Sequence, residues 1–498
     1  MQSAFGTVAV AGLIGLLAAP VFAQVTPEDV WQGWQQLGTS YGQTVTAEEV
    51  ARDGDTLVVK GMTTQMARED LQFDGKIDEL RFRDLKDGTV EVTMTDTHKI
   101  TMVLPTEEGE AQEVSITLTH PQASLIAGGD SSQTSYTYDA PSMVVDMVVT
   151  EAALTLANLQ ATLTNVSGTY LLNLQDNAMA LDSALEMDSL TFSIEAGDAE
   201  TSASVTGTMA ALKVASEGNF LGVAAMEDMA QALRDGFVAN TELTYGQGDY
   251  TLDVMDKGKP SKFVASNETG HLRFKMGDDA LQYAAGATGV SMAVSGADIP
   301  FPEIRVAYGE ASFDFLIPLL ASDTPTDFSL LTRIVDLTVS DEIWAMFDPT
   351  VALPRSPATL VLDAKGKVKL TADLLDEAAV NALGGASPAE MHALDMTDLT
   401  VKFAGAELTG TGAMTFDNTD MTSFDGIPAP TGTIDLRLKG GNGLLDKLVT
   451  MGVIPQDQAM GARMMIAMFA KPGEGDDVLN ASLEFRDKGF FANGQRLK

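Results

Sequence analysis

The chain has 498 residues and no cysteine, which excludes disulfides, thiolate metal sites, cysteine nucleophiles and the lipid-attachment residue of a bacterial lipoprotein. Its 70 acidic and 31 basic residues give a formal charge of −39, which disfavours electrostatic binding to nucleic acid or anionic headgroups and reads as adaptation to a salty exterior. A hydrophobic fraction of 45% argues against global disorder, and 25 Met against three Trp point to an aliphatic, adaptable core.

Residues 1–23 read as a signal peptide. An apolar run from Ala4 to Ala19 leads through Pro20 to Val21, Phe22 and Ala23, the small and aliphatic pattern that a signal peptidase cuts. The run is too short for a stop-transfer anchor, so the expectation is cleavage after Ala23, a periplasmic or secreted protein, and no integral membrane span afterwards.

The mature chain opens with a helix. Thr26 suits its N-cap, Pro27 its first position, and Val30, Trp31, Trp34 and Leu37 form one apolar stripe. After Gly42 the period changes to two. Residues 56–60, 89–95, 114–119, 144–149, 170–174, 190–194 and 205–209 alternate Thr, Ser or acid with Val, Leu, Ile or Met between Gly-rich turns, the pattern of half-buried antiparallel strands. A helix is expected over 220–237, where Val223, Met226, Met229, Ala230 and Leu233 form a stripe that Gly236 ends. Alternation resumes over 241–370. The last third mixes a helix at 374–383, strands at 397–403, 407–416 and 432–439, a helix capped by Asn442, a second over 456–470, and a closing hairpin of 479–486 with 490–497.

The architecture implied is mainly β with a few helices: a long, curved, mostly antiparallel sheet or incomplete barrel, with two similar halves suggested by the order of elements. By segment, 1–23 is the signal peptide, 24–238 an N-terminal β-rich half with its opening helix, 239–373 a second β-rich segment, and 374–498 a mixed segment with a helix pair and closing hairpin.

Few residues carry chemistry. Gly38, Ser40 and Gly42 match G-x-S-x-G, but a helix precedes and a strand follows, the reverse of a nucleophile elbow, so the match reads as a connector. His98, His120, His271 and His392 are scattered without metal-ligand spacing. The acidic turns around Asp417, Asp420 and Asp425 and around Glu474, Asp476 and Asp477 lack calcium-loop spacing and read as solvated turns. The loop carrying Lys257, Lys259 and Lys262 reads as solvated, with reception of an anionic headgroup as its functional alternative. Met460, Met464 and Met468, with Met465 and Phe469 beside them, read first as packed core and second as a plastic lining for acyl chains or a partner helix. Trp344 and Arg355 bracket a Pro-rich segment expected to leave the sheet and dock on its edge, with Trp344 buried and Arg355 bonded to backbone carbonyls or a carboxylate.

Two stretches carry a family likeness. One is Leu316-Ile317-Pro318-Leu319 with 341–349 (DEIWAMFDP) and 353–360 (LPRSPATL); the other is 405–418 (GAELTGTGAMTFDN) with the ending 493–497 (NGQRL). Together with TPEDVWQGW at 26–34, these make the mature chain resemble the uncharacterised alphaproteobacterial family labelled domain of unknown function 2125, a resemblance that implies no activity and no catalytic residues. The ending also resembles YdgA-like and AsmA-like envelope proteins, and the latter likeness implies lipid handling in the envelope. The reading is therefore a non-enzymatic envelope protein, without cofactor, that binds lipids or other apolar molecules. The alternatives are a structural or assembly factor for another envelope protein and, third, an unrecognised hydrolase.

Overall fold

The computed structural model describes residues 24–40, 42–67, 71–104, 111–130, 133–151, 154–175, 178–198, 200–221, 227–277 and 280–498. The expected signal peptide lies outside the described residues. Helix α1 (Pro27–Ser40) leads into β1 (Thr44–Thr46), β2 (Glu49–Asp53), β3 (Thr56–Ala67) and β4 (Gln72–Asp84). Four short strands follow: β5 (Val90–Met94), β6 (Thr97–Leu104), β7 (Gln112–Thr119) and β8 (Ser124–Gly129). Then come four long ones, β9 (Gln133–Glu151), β10 (Leu154–Gln175), β11 (Ala178–Gly197) and β12 (Thr201–Phe220). Helix α2 (Met229–Arg234) precedes β13 (Val238–Tyr245), β14 (Gly248–Asp256), β15 (Lys259–Asn267), β16 (Thr269–Gly277), β17 (Ala280–Gly296), β18 (Ile304–Pro318) and β19 (Thr326–Val339). Helix α3 (Asp341–Phe347), β20 (Ala358–Leu370), α4 (Glu377–Ala382), β21 (Ala389–Phe403), β22 (Ala406–Asp417) and β23 (Ala429–Lys439) come next. The helix pair α5 (Gly441–Thr450) and α6 (Gln456–Phe469) precedes β24 (Lys471–Pro472), β25 (Val478–Arg486), β26 (Gly489–Ala492) and β27 (Gln495–Arg496).

Among the described residues these strands form one antiparallel sheet of 27 strands that does not close into a barrel. Most of it is a meander, because short turns join neighbours whose alternating faces already match. Twice, a long strand is followed by four short ones in a nested pattern. Between β4 and β9, β5 pairs with β8 and β6 with β7; between β12 and β17, β13 pairs with β16 and β14 with β15. The sheet therefore uses the same nested pairing twice.

A crease crosses the sheet at mid-strand. Gly61 (φ 57°), Asn165 (φ 50°), Ala211 (φ 53°), Gly289 (φ 58°) and Asp336 (φ 56°) are left-handed inside strands. The ladder skips at each of them: Lys60–Glu79 is followed by Met62–Ile77, and Thr288–Glu310 by Val290–Tyr308. Beyond Gly61, Asn165, Ala211 and Gly289 the pairing resumes in the same register, and at Asp336 the β19–β20 register shifts. Gly61 and Gly289 are built alike. The Glu48 amide donates to the Lys60 carbonyl (3.0 Å) and the Glu268 amide to the Thr288 carbonyl (2.9 Å), and each Glu side chain fills the space where a Cβ of the following glycine would stand. Ala140, Val166, Met187 and Leu212 are buried together beside the crease.

Among the described residues, helices cover the apolar face at its margins. Thr26 caps α1 through its hydroxyl (3.2 Å from the Asp29 amide), and α1 buries Val30 and Trp31 over Leu57, Val59, Leu80 and Phe82. The rings of Trp31 and Trp34 lie 6.1 and 5.5 Å from Phe82. Helix α2 packs Ala230 and Leu233 with Phe237, Leu319 and Leu320 at one end of the long strands. Helices α3 and α5 meet around Trp344, Leu353 and Ala404.

Two expectations are corrected. The helix expected over 220–237 does not begin at 220: β12 runs to Phe220 because its last residues pair with both β11 and β13, and among the described residues of that span the α-helix is Met229–Arg234. Val223 and Met226 lie outside the described residues. Asn442 does not cap α5; the N-cap is left-handed Gly440, and Asn442 instead donates to the Asp477 carboxylate (2.9 Å).

Phe82 is fully buried, whereas Phe313 on β18 remains 40% exposed. Phe82→Ala is expected to cost about 3–5 kcal/mol and Phe313→Ala about 1–2 kcal/mol, measured by urea unfolding of the purified chain.

Candidate functional site

Cross-strand pairing turns the period-two pattern into continuous rows. Ile100, Ile116, Met147, Leu159, Ile194, Val205, Leu252, Phe263, Val294 and Ile304 stand opposite one another on ten successive strands, and each is only half-buried. One residue away along the strands, the other face reads Lys99, Thr117, Asp146, Gln160, Ser193, Thr206 and Thr251. Across the crease a second apolar row joins Leu185, Val214, Leu243, Leu272, Ala285 and Phe313, with Leu272 38% and Phe313 40% exposed. A third runs Ala161, Phe192, Gly207, Tyr250, Ala265, Met292, Val306 and Val339. In it the Phe192 ring lies over Gly207, where a Cβ would come within 2.5 Å of it. Toward the strand ends a cleft of about 820 Å³ is lined by small residues, Ala157, Ala196, Ala203 and Gly296, with Leu156, Val254 and Met255. Rows of this extent, left half-open to water, are an adhesive surface.

A second, smaller pocket of about 330 Å³ lies under α3, lined by Leu337, Val339, Trp344, Phe347, Arg355 and Phe403 among others. Trp344 is buried, and the Arg355 guanidinium carbon lies 5.7 Å from its ring centroid while one terminal nitrogen donates to Asp341. The Pro-rich segment is held by the fully buried Asp348, whose carboxylate accepts the amides of Ala352 and Leu353, each at 2.9 Å.

The methionine stripe is not packed core. Met460, Met464, Met465 and Met468 are all exposed, while Ala459 is buried and Phe469 is half-buried, 6.3 Å from the Phe490 ring. The cause is Arg463, which turns inward to the Asn442 side-chain oxygen (3.2 Å) and to Asp446 (2.6 Å) and so faces the methionines outward.

The remaining candidates are structural in their contacts. Ser40 of the G-x-S-x-G match donates to the Gln36 carbonyl (3.0 Å) within α1. In the acidic turns, Asp420 accepts from Lys488, Ser423 and Thr422, with Lys488 the largest influence holding it well below the usual carboxylate range, and Asp477 accepts the amides of Asn442 and Gly443. Lys259 pairs with Asp298 (2.8 Å) and Lys262 with Asp253 (3.5 Å). Among the described residues no group of three or more His, Cys, Asp or Glu side chains is arranged to hold a metal ion, and no helix is long and apolar enough to cross a membrane.

Sequence spacing missed one pair. His98 on β6 and His120 after β7 are 22 positions apart, yet strand pairing brings His98 Nδ1 within 3.2 Å of His120 Nε2. Burial pushes both imidazoles below the ordinary value, and for His98 the charge of His120 adds to it. With folded values lowered, the unfolded chain binds protons first, so stability is whole above ~pH 6.5 and is lost as pH falls below it. Denaturant midpoints between ~pH 7 and ~pH 5.5 should fall further for the wild type than for a His98→Gln, His120→Gln variant; parallel curves would contradict this.

No curated protein and no solved structure matches the chain. The family match covers the second half, from β14 to the β26–β27 turn, and thus includes the α3 pocket, the helix pair and the ending; TPEDVWQGW lies outside it. Through residues 247–494 the chain belongs to the family described as uncharacterized protein conserved in bacteria (DUF2125).

Proposed function

We propose that this is an exported, non-catalytic protein of the bacterial envelope that binds lipids or other apolar molecules on the inner face of its creased sheet. The observation that carries it is the ten-strand row from Ile100 to Ile304, apolar throughout and half-exposed throughout. A bound alkyl chain would remove that surface from water at roughly 0.8 kcal/mol per buried methylene, so one chain supplies useful affinity without help from charge. At a net charge of −39 an anionic ligand is repelled at long range, and salt screens that repulsion while leaving apolar contact intact. A second reading, docking of another envelope protein, is favoured by the outward methionine face of α6, since methionine surfaces repack around varied partners.

Titration with a neutral fluorescent apolar probe decides between them. The first reading expects saturable binding that added salt does not weaken, and about a tenfold loss in a Val205→Asn, Leu252→Asn variant, whose two sites face each other across β12 and β14. Binding abolished instead by polar replacement of Met464 and Met468 would favour the second reading, and no saturable binding at any salt would remove the first.

A further inference from the structure

The α3 pocket holds a chemistry that the apolar rows lack. Its walls are aromatic: Trp344 lies 4.9 Å from Phe347 and nearly parallel to Phe403, at 11° and 6.3 Å between centroids. Phe347 and Phe403 are each 44% exposed, so the aromatic wall is open. One guanidinium reaches into it. Arg355 Nε is buried without an acceptor, and a buried donor left unpaired is costly. The acid that Arg355 does meet, Asp341, has a side chain 84% exposed, so releasing it returns a carboxylate to water at little cost. Val339 in the pocket wall also ends an apolar row, standing opposite Val306, which continues through Met292 and Ala265 to Tyr250.

We propose that this pocket takes the carboxylate of a single-chain aliphatic acid, with Arg355 as its anchor and the chain laid along the row that begins at Val339. The proposal rests on the reading of the sheet face as an apolar ligand site and adds the headgroup and its position. A carboxylate fits because its two oxygens match the planar fork of the guanidinium, Nε together with a terminal nitrogen. A phosphate dianion fits less well: the one cation in the pocket wall is Arg355, and Asp341 stands in the same wall. Asp341 accepts from a terminal nitrogen of the same guanidinium, so the ligand carboxylate competes with it for one cation.

Calorimetric titration of the full-length protein with decanoate, decanol and decyl phosphate tests this at mildly alkaline pH. Decanoate should bind about tenfold more tightly than decanol, and Arg355→Gln should erase that difference while leaving decanol binding unchanged. Because Arg355 also braces the loop, Asp341→Asn is the decisive companion: it removes the competing carboxylate from an exposed position and should tighten decanoate several-fold. Equal affinity for decanoate and decanol, tighter binding of decyl phosphate, or weaker decanoate binding by Asp341→Asn would overturn the carboxylate site while leaving the apolar face standing. Failure of both decanol and decanoate to bind would remove the apolar-face reading and the pocket proposal with it.

Discussion

A single-layer sheet has two faces, and only a polar one can be left to water cheaply. Here strict alternation makes one face Thr, Ser and acid and the other Val, Leu, Ile and Met, and a meander of this length aligns those residues into rows that run from strand to strand. Burying the apolar rows in the usual way would require a second sheet or a full layer of helices. The described residues provide neither. Helix α1 seals the first strands, α2 one end of the long strands, and α3 with α5 the region around Trp344, while the middle of the face stays half-open.

The crease limits what that exposure costs. Left-handed residues such as Asn165, Ala211 and Gly289 cross alternate long strands in one line, and Val166, Met187 and Leu212 are buried beside that line. Away from the crease, Leu272 and Phe313 stand open to water. The acidic exterior complements this arrangement. A charge of −39 keeps copies of the molecule apart, which matters for a protein whose open rows would otherwise associate with one another.

The strands were legible in the sequence because alternation and turn residues are local signals, and α1 was legible because Thr26, Pro27 and the Trp31–Trp34 stripe announce a capped amphipathic helix. The crease was not: Asn165, Ala211 and Asp336 are ordinary strand or polar residues whose left-handed conformation is imposed by neighbouring strands. The His98–His120 contact depends on the β6–β7 register, which spacing along the chain does not encode. The outward turn of the α6 methionines was hidden for another reason. Periodicity finds an apolar stripe but not its direction, and Arg463, by reaching Asp446, decides the direction here. Trp344 and Arg355 could be located from their Pro-rich surroundings, whereas their partnership with Phe403 required the fold.

The central claim is that the open face is occupied by an apolar molecule where the protein works. Native mass spectrometry of the protein purified without detergent from its own host reads this directly, together with the mature mass. The expected result is a chain beginning at Gln24 that carries a bound apolar molecule, released when the protein is extracted with organic solvent. A bare chain, or one that carries only a stoichiometric protein partner, would contradict it.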